Sequence, residues 1–194
     1  TPVCMVAREL RTGKLLRLWQ DDLSQHIKAP FATDCKALFV AFFASAELGC
    51  FLAQGWPLPK HILDLYVEFR VKTNGLSLPR GRGLLGAMTM HGLDSMSIED
   101  KDEMRSLILS GGPWSDSDCQ AILDYCQADV DALAALLPRM LPAIRGVGDR
   151  DANLARALLR GRYMAASAKM EWHGVPIDAQ TLGQIRAHWV DLKT

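Results

Sequence analysis

No stretch of this chain is apolar for the roughly 20 residues that a membrane-spanning helix needs. Arg8, Arg11, Asp21 and Asp22 interrupt its opening segment, where a secretory leader would need an unbroken apolar run. The expected compartment is therefore the cytoplasm, with no membrane partner. The five cysteines, Cys4, Cys35, Cys50, Cys119 and Cys126, are odd in number and include no C-x-x-C pair. Neither a disulfide framework nor a zinc site is indicated, and reduced thiols in the core are expected. Neither sign of charge is in excess, since 22 Lys and Arg balance 22 Asp and Glu. That balance excludes a protein that grips nucleic acid by a broad basic surface, so any such contact must be local. Internal repeats and low-complexity segments are also lacking. His26, His61, His91, His173 and His188 are scattered without metal-ligand spacing.

What is present is a chain of 194 residues, 49% hydrophobic and 23% charged, enough for one good core and the beginning of a second unit. Residues 3–7 and 15–19 are β-friendly runs flanking a turn with Gly13, which predicts an antiparallel hairpin. Residues 38–43 form a continuous apolar run, expected of a strand covered on both faces, and Ser45 is placed to cap a helix running to about Gln54. A further short strand is expected at residues 61–64, then a helix over 65–72, so the sheet reads as mixed. Residues 74–83 read as a surface loop. Helices are expected over 84–91 and 98–109, then a long one capped by Ser115 or Asp116 and ending near Leu137. Residues 145–149, with Gly146 and Gly148, resemble a linker before helices at 153–172 and 180–193. These features predict an α/β class with a unit at 1–144 and a helical segment at 145–194.

Two features carry chemistry. The long helix contains Tyr125-Cys126-Gln127-Ala128-Asp129, a Tyr-x-x-x-Asp spacing that puts a hydroxyl and a carboxylate one turn apart on one face. Phosphodiester hydrolysis needs carboxylates to hold divalent ions and gains from a hydroxyl that orients the attacking water. The alternative is a half-buried ring beside a solvated charge. Glu47 follows the apolar strand, in the first turn of the next helix, where it either lines an active site or complements the helix N-terminus. Arg70, Lys72, Arg80 and Arg82 make the one local basic cluster, suited to a DNA backbone or to a solvated loop.

The order of these elements resembles the ribonuclease-H-like DEDD exonucleases of the tyrosine-bearing subclass: a hairpin, a strand and helix with an acidic residue at the junction, a strand with Asp64, and a late helix with Tyr-x-x-x-Asp. Residues 159–178, especially Met170-Glu171-Trp172-His173-Gly174-Val175-Pro176-Ile177-Asp178, resemble the approach to the polymerase domain in DNA polymerase I relatives. The resemblance implies a mixed sheet flanked by helices and followed by a helical segment. It implies a proofreading 3′→5′ exonuclease acting on single-stranded DNA 3′ ends beside a polymerase domain of the same protein. Tyr125 would orient water, Asp129 and Glu47 would bind Mg2+ or Mn2+ in a two-metal site, Arg80 and Arg82 would contact substrate, and Asp64 would be structural. Asp124 and Asp131, which flank the motif, would be solvated or salt-bridged.

The sequence departs from that pattern twice. The family's first motif, Asp-x-Glu, has no counterpart before Val3, and Glu47 stands where the second motif usually has an aspartate. The strand bearing the first motif would lie centrally in the sheet, so its absence would leave unpaired backbone there. Both chain ends read as cut, Thr194 falling inside an unfinished helix, and the expectation is a piece of a longer protein. An exonuclease-like scaffold without catalysis is the alternative reading.

Overall fold

The computed structural model describes residues 2–93 and 98–193, so the expectation about Thr194 lies outside the described residues. Strand β1 (Cys4–Arg8) pairs antiparallel with β2 (Leu15–Trp19), in a register running from Cys4 opposite Trp19 to Arg8 opposite Leu15. The connecting turn closes through Glu9 N–H to Lys14 O at 2.9 Å and places Gly13 at φ 75°. Trp19 leads directly into a short helix unforeseen in the sequence, α1 (Gln20–Ser24), which exists because Leu23 is fully buried with Phe51 and Trp56.

Strand β3 (Phe39–Ala41), helix α2 (Ala44–Ala53) and strand β4 (Ile62–Asp64) follow, with β3 and β4 parallel and Phe39 opposite Ile62. The mixed α/β class is as expected, but the sheet is not continuous. The described residues form two separate two-stranded ladders, one antiparallel and one parallel, because no strand among them bridges β1–β2 to β3–β4. Asp64 ends β4 and begins helix α3 (Leu65–Lys72). Helices α4 (Leu84–Met90), α5 (Ile98–Leu109), α6 (Asp116–Arg145), α7 (Arg150–His173) and α8 (Ala179–Ala187) complete the order, with a last 3-10 turn at Asp191–Lys193. Among the described residues no helix is long and apolar enough to cross a membrane.

Helix α6 begins as expected, with a reciprocal capping box between Ser115 and Asp118. It then outruns its expected end by two turns, passing Pro138 and Pro142. Each proline removes a helix hydrogen bond, yet Leu136, Met140 and Ile144 repeat every fourth residue and stay buried, so packing outweighs the lost bonds. The hairpin is fastened to α6 by two arginines. Arg8 pairs with Asp131 at 2.6 Å, and Arg17 binds Asp124 at 2.6 Å and Gln127 at 2.7 Å.

The glycine-bearing link after α6 leads into a helix that turns back on the main core. Helix α7 lies along α2 and β4, burying Ala157 and Ala168. It comes so close that a Cβ at Gly161 would run into the carbonyl oxygen of Ile62. Arg160 meets the buried Glu68 of α3 through two hydrogen bonds, Nε to Oε1 at 2.6 Å and Nη2 to Oε2 at 2.7 Å. By contrast, α8 buries none of its residues.

Glu68 is 1% exposed, and the Arg160 guanidinium is the partner of both its oxygens. Arg160→Ala is expected to cost about 3–5 kcal/mol of unfolding free energy by stranding a buried carboxylate, whereas Glu68→Leu combined with Arg160→Met restores most of it. Urea denaturation measures both. Equal losses in single and double variants would assign the stability to something other than the pair.

Candidate active site

The site is organised at the junction between β3 and α2. Phe43 occupies the N-cap position of α2 in the left-handed region, at φ 74° and ψ 59°, a conformation that costs a bulky residue about 1–2 kcal/mol. Ser45 does not cap the helix; it lies inside the first turn, 2% exposed, with an Oγ that finds no hydrogen-bond partner among the described residues. The carboxylate of Asp64 takes the capping role instead. Its Oδ2 accepts from Ala44 N–H at 2.9 Å, and its Oδ1 accepts from Phe43 N–H at 3.0 Å and from Tyr66 N–H at 2.9 Å. Val67 N–H adds a longer bond at 3.4 Å. One side chain thus holds the starts of α2 and α3 together. Burial pushes the Asp64 carboxyl up from its ordinary range, and the four backbone donors oppose that shift.

Glu47 stands one turn into α2. Its Oε2 is buried without a hydrogen-bond partner among the described residues, and its pKa is pushed up to about 8. Burial is the main cause, its own backbone N–H opposes it, and the charges of Asp64, Cys126 and Asp129 raise it further. Glu47 therefore lies within electrostatic range of the segment of α6 that carries Tyr-x-x-x-Asp. On that segment the Tyr125 hydroxyl is held protonated beyond its ordinary value, first by burial and then by Asp129. From α5, Arg105 opposes the shift and Asp102 adds to it. Glu47, Asp129 and Tyr125 form one electrostatic neighbourhood.

Next to it, Cys4 of β1 and Cys126 of α6 lie close enough for their thiols to shift each other's ionisation. The pairing raises the Cys4 pKa and lowers that of Cys126. No signal in the sequence joined these two thiols. Cys35 and Cys50 are exposed, unlike the core thiols expected. The expected substrate contacts behave otherwise than the carboxylates. Arg82 Nη2 donates to Leu76 O at 2.9 Å within its own loop, and Arg80 is exposed in the loop before α4. Of the basic cluster, Arg70 takes the more informative position, with its guanidinium 5.6 Å from the Tyr66 ring centroid.

Asp64 is committed to four backbone donors, which leaves Glu47 and Asp129 as the carboxylates suited to a divalent ion. The unpartnered Glu47 Oε2 fits that role. The set is partial, for among the described residues no group of three or more His, Cys, Asp or Glu is placed to hold a metal. Comparison with models of protein families, with curated proteins and with solved structures finds no match to this chain.

A carboxyl whose folded pKa lies above its ordinary 4.5 contributes stability fully below pH 4.5, and loses it as pH rises through about 8. Glu47→Gln removes that ionisation. Its stability relative to the native chain is expected to grow by up to about 1.4 kcal/mol per pH unit across this window. Denaturation series from pH 5 to pH 8 provide the measurement, and parallel profiles would place Glu47 in water.

Proposed function

We propose that the chain is the 3′→5′ exonuclease-type domain of a DNA polymerase I-like protein, and that α7 and α8 lead towards its polymerase part. Its reaction is phosphodiester hydrolysis at single-stranded DNA 3′ ends. The observation that carries this reading is the Glu47 carboxyl, buried with an unpartnered oxygen and electrostatically joined to Asp129 across two helices. A buried carboxyl without a partner is costly, and such groups cluster at functional sites.

Magnesium or manganese, held by Glu47 and Asp129, would supply positive charge to the phosphate oxygens. The rest falls to the chain's own groups. The Tyr125 hydroxyl oxygen accepts a hydrogen bond from the attacking water and orients it; the water oxygen bonds phosphorus, the P–O3′ bond breaks, and the water's proton leaves to solvent while the O3′ takes one up. Asp129, one turn along, sets the negative charge against which that water is oriented. Asp64 keeps the first turn of α2 in place, and with it the position of Glu47.

A second reading, an exonuclease-like scaffold without catalysis, is favoured by the commitment of Asp64 to backbone donors and by the partial donor set. The two separate by assay of the gene product on an oligodeoxynucleotide with manganese. The hydrolytic reading expects release of mononucleotides from the 3′ end, with Tyr125→Phe lowering the rate by about 10²–10³, the usual loss for one positioned hydrogen-bonding group. Asp129→Ala is expected to abolish it. No release, together with manganese affinity unchanged by Asp129→Ala, would leave the scaffold.

A further inference from the structure

Phe43 is unusual in two respects at once. It is the one non-glycine residue with positive φ among those described, and it is 45% exposed. Asparagine or glycine would relieve both the backbone conformation and the exposed apolar surface. Phe43 is nevertheless pinned in place, because the Asp64 Oδ1 that accepts its N–H at 3.0 Å also accepts the N–H of Tyr66 at 2.9 Å. The two rings consequently meet edge to face, with centroids 5.2 Å apart and planes at 89°. Phe42 braces Tyr66 from another side, its centroid at 5.6 Å. Arg70 then completes the group, donating from Nη1 to Tyr66 Oη at 3.0 Å while its guanidinium lies over the same ring. Glu47 is one helical turn beyond Phe43 and feels the same Asp64.

We infer that Phe43, seated on the Tyr66 ring that Arg70 also covers, is a stacking platform for the terminal base of a single-stranded DNA 3′ end. This rests on the hydrolytic reading above, since the platform adjoins Glu47. An exposed ring face accepts any base, and a neighbouring guanidinium accepts a phosphate, so the pair recognises a strand end without reading its sequence. An unpaired end is required because a base inside a duplex keeps both faces stacked on its neighbours. The chain's balanced charge strengthens the argument: with no broad basic surface, stacking must supply much of the hold.

The test uses the full chain with a chelator and an oligodeoxynucleotide whose 3′-terminal base is 2-aminopurine, which loses fluorescence on stacking. Native protein is expected to quench the probe. Phe43→Asn should abolish quenching and weaken binding about ten-fold or more, while thermal stability holds or rises because asparagine tolerates the left-handed region. Phe43→Trp should keep the quenching. Arg70→Gln should weaken binding and flatten its salt dependence. The platform is overturned if Phe43→Asn binds and quenches like the native chain, or if a blunt duplex or a 5′-terminal probe responds equally. Quenching that depends on Phe43 without hydrolysis in manganese would sink the catalytic reading and keep the platform. Hydrolysis with Phe43-independent binding would do the reverse.

Discussion

One carboxylate, that of Asp64, stands at the N-terminal ends of two helices at once. Each helix start presents amide groups with no partner in their own helix and a partial positive charge, and a buried anion satisfies both. Four backbone donors converge on it, two from the start of α2 and two from α3. Because β4 ends at this residue, the same side chain also fixes where the parallel ladder stops. The position of Glu47, the conformation of Phe43 and the contact of Phe43 with Tyr66 all follow from it. The oxygens of Asp64 are taken up by backbone donors, and through them it holds the neighbours of the candidate site in place.

Around this point, polar contacts between distant segments set the arrangement of the helices. Glu68 and Arg160 join α3 to α7 through a buried two-pronged contact, and Gly161 lets α7 come down on the β4 backbone directly beside it. A side chain at position 161 would lift the helix and pull the guanidinium away from its carboxylate. Close approach and ion pair thus depend on each other. The arginines of the hairpin act similarly on α6, gripping Asp124 and Asp131, the two residues that flank the Tyr-x-x-x-Asp motif. Their grip fixes the rotation of α6 and hence the face on which Tyr125 and Asp129 stand.

Local signals in the sequence were legible where local chemistry decides the outcome. The hairpin, the strand before Glu47, the bounds of α5 and the capping box of α6 each follow from propensity and turn chemistry. The failures lie where distant packing decides. Met140 and Ile144 carry α6 through two prolines, and Leu23 makes a helix of a polar segment. Asp64 displaces Ser45 as the cap of α2, although the two are far apart in sequence. As for the candidate site, the Tyr125–Asp129 spacing on one helix and the place of Glu47 in the first turn of α2 could be read. The left-handed Phe43 could not, because phenylalanine carries no local preference for that conformation. The bond of Arg82 to its own loop was equally hidden, since a loop carbonyl leaves no mark in the sequence.

The clamps between hairpin and α6 also bear on how the chain comes to be assembled. Arg8 and Asp131 are 123 positions apart and Arg17 and Gln127 are 110 apart, so the hairpin leaves the ribosome long before its anchors exist. At synthesis rates of about 5–20 residues per second, that interval is on the order of ten seconds. An isolated two-stranded hairpin is at best marginally stable in water. The hairpin is thus made well before the helix that anchors it, and its arginines find their partners only once α6 arrives.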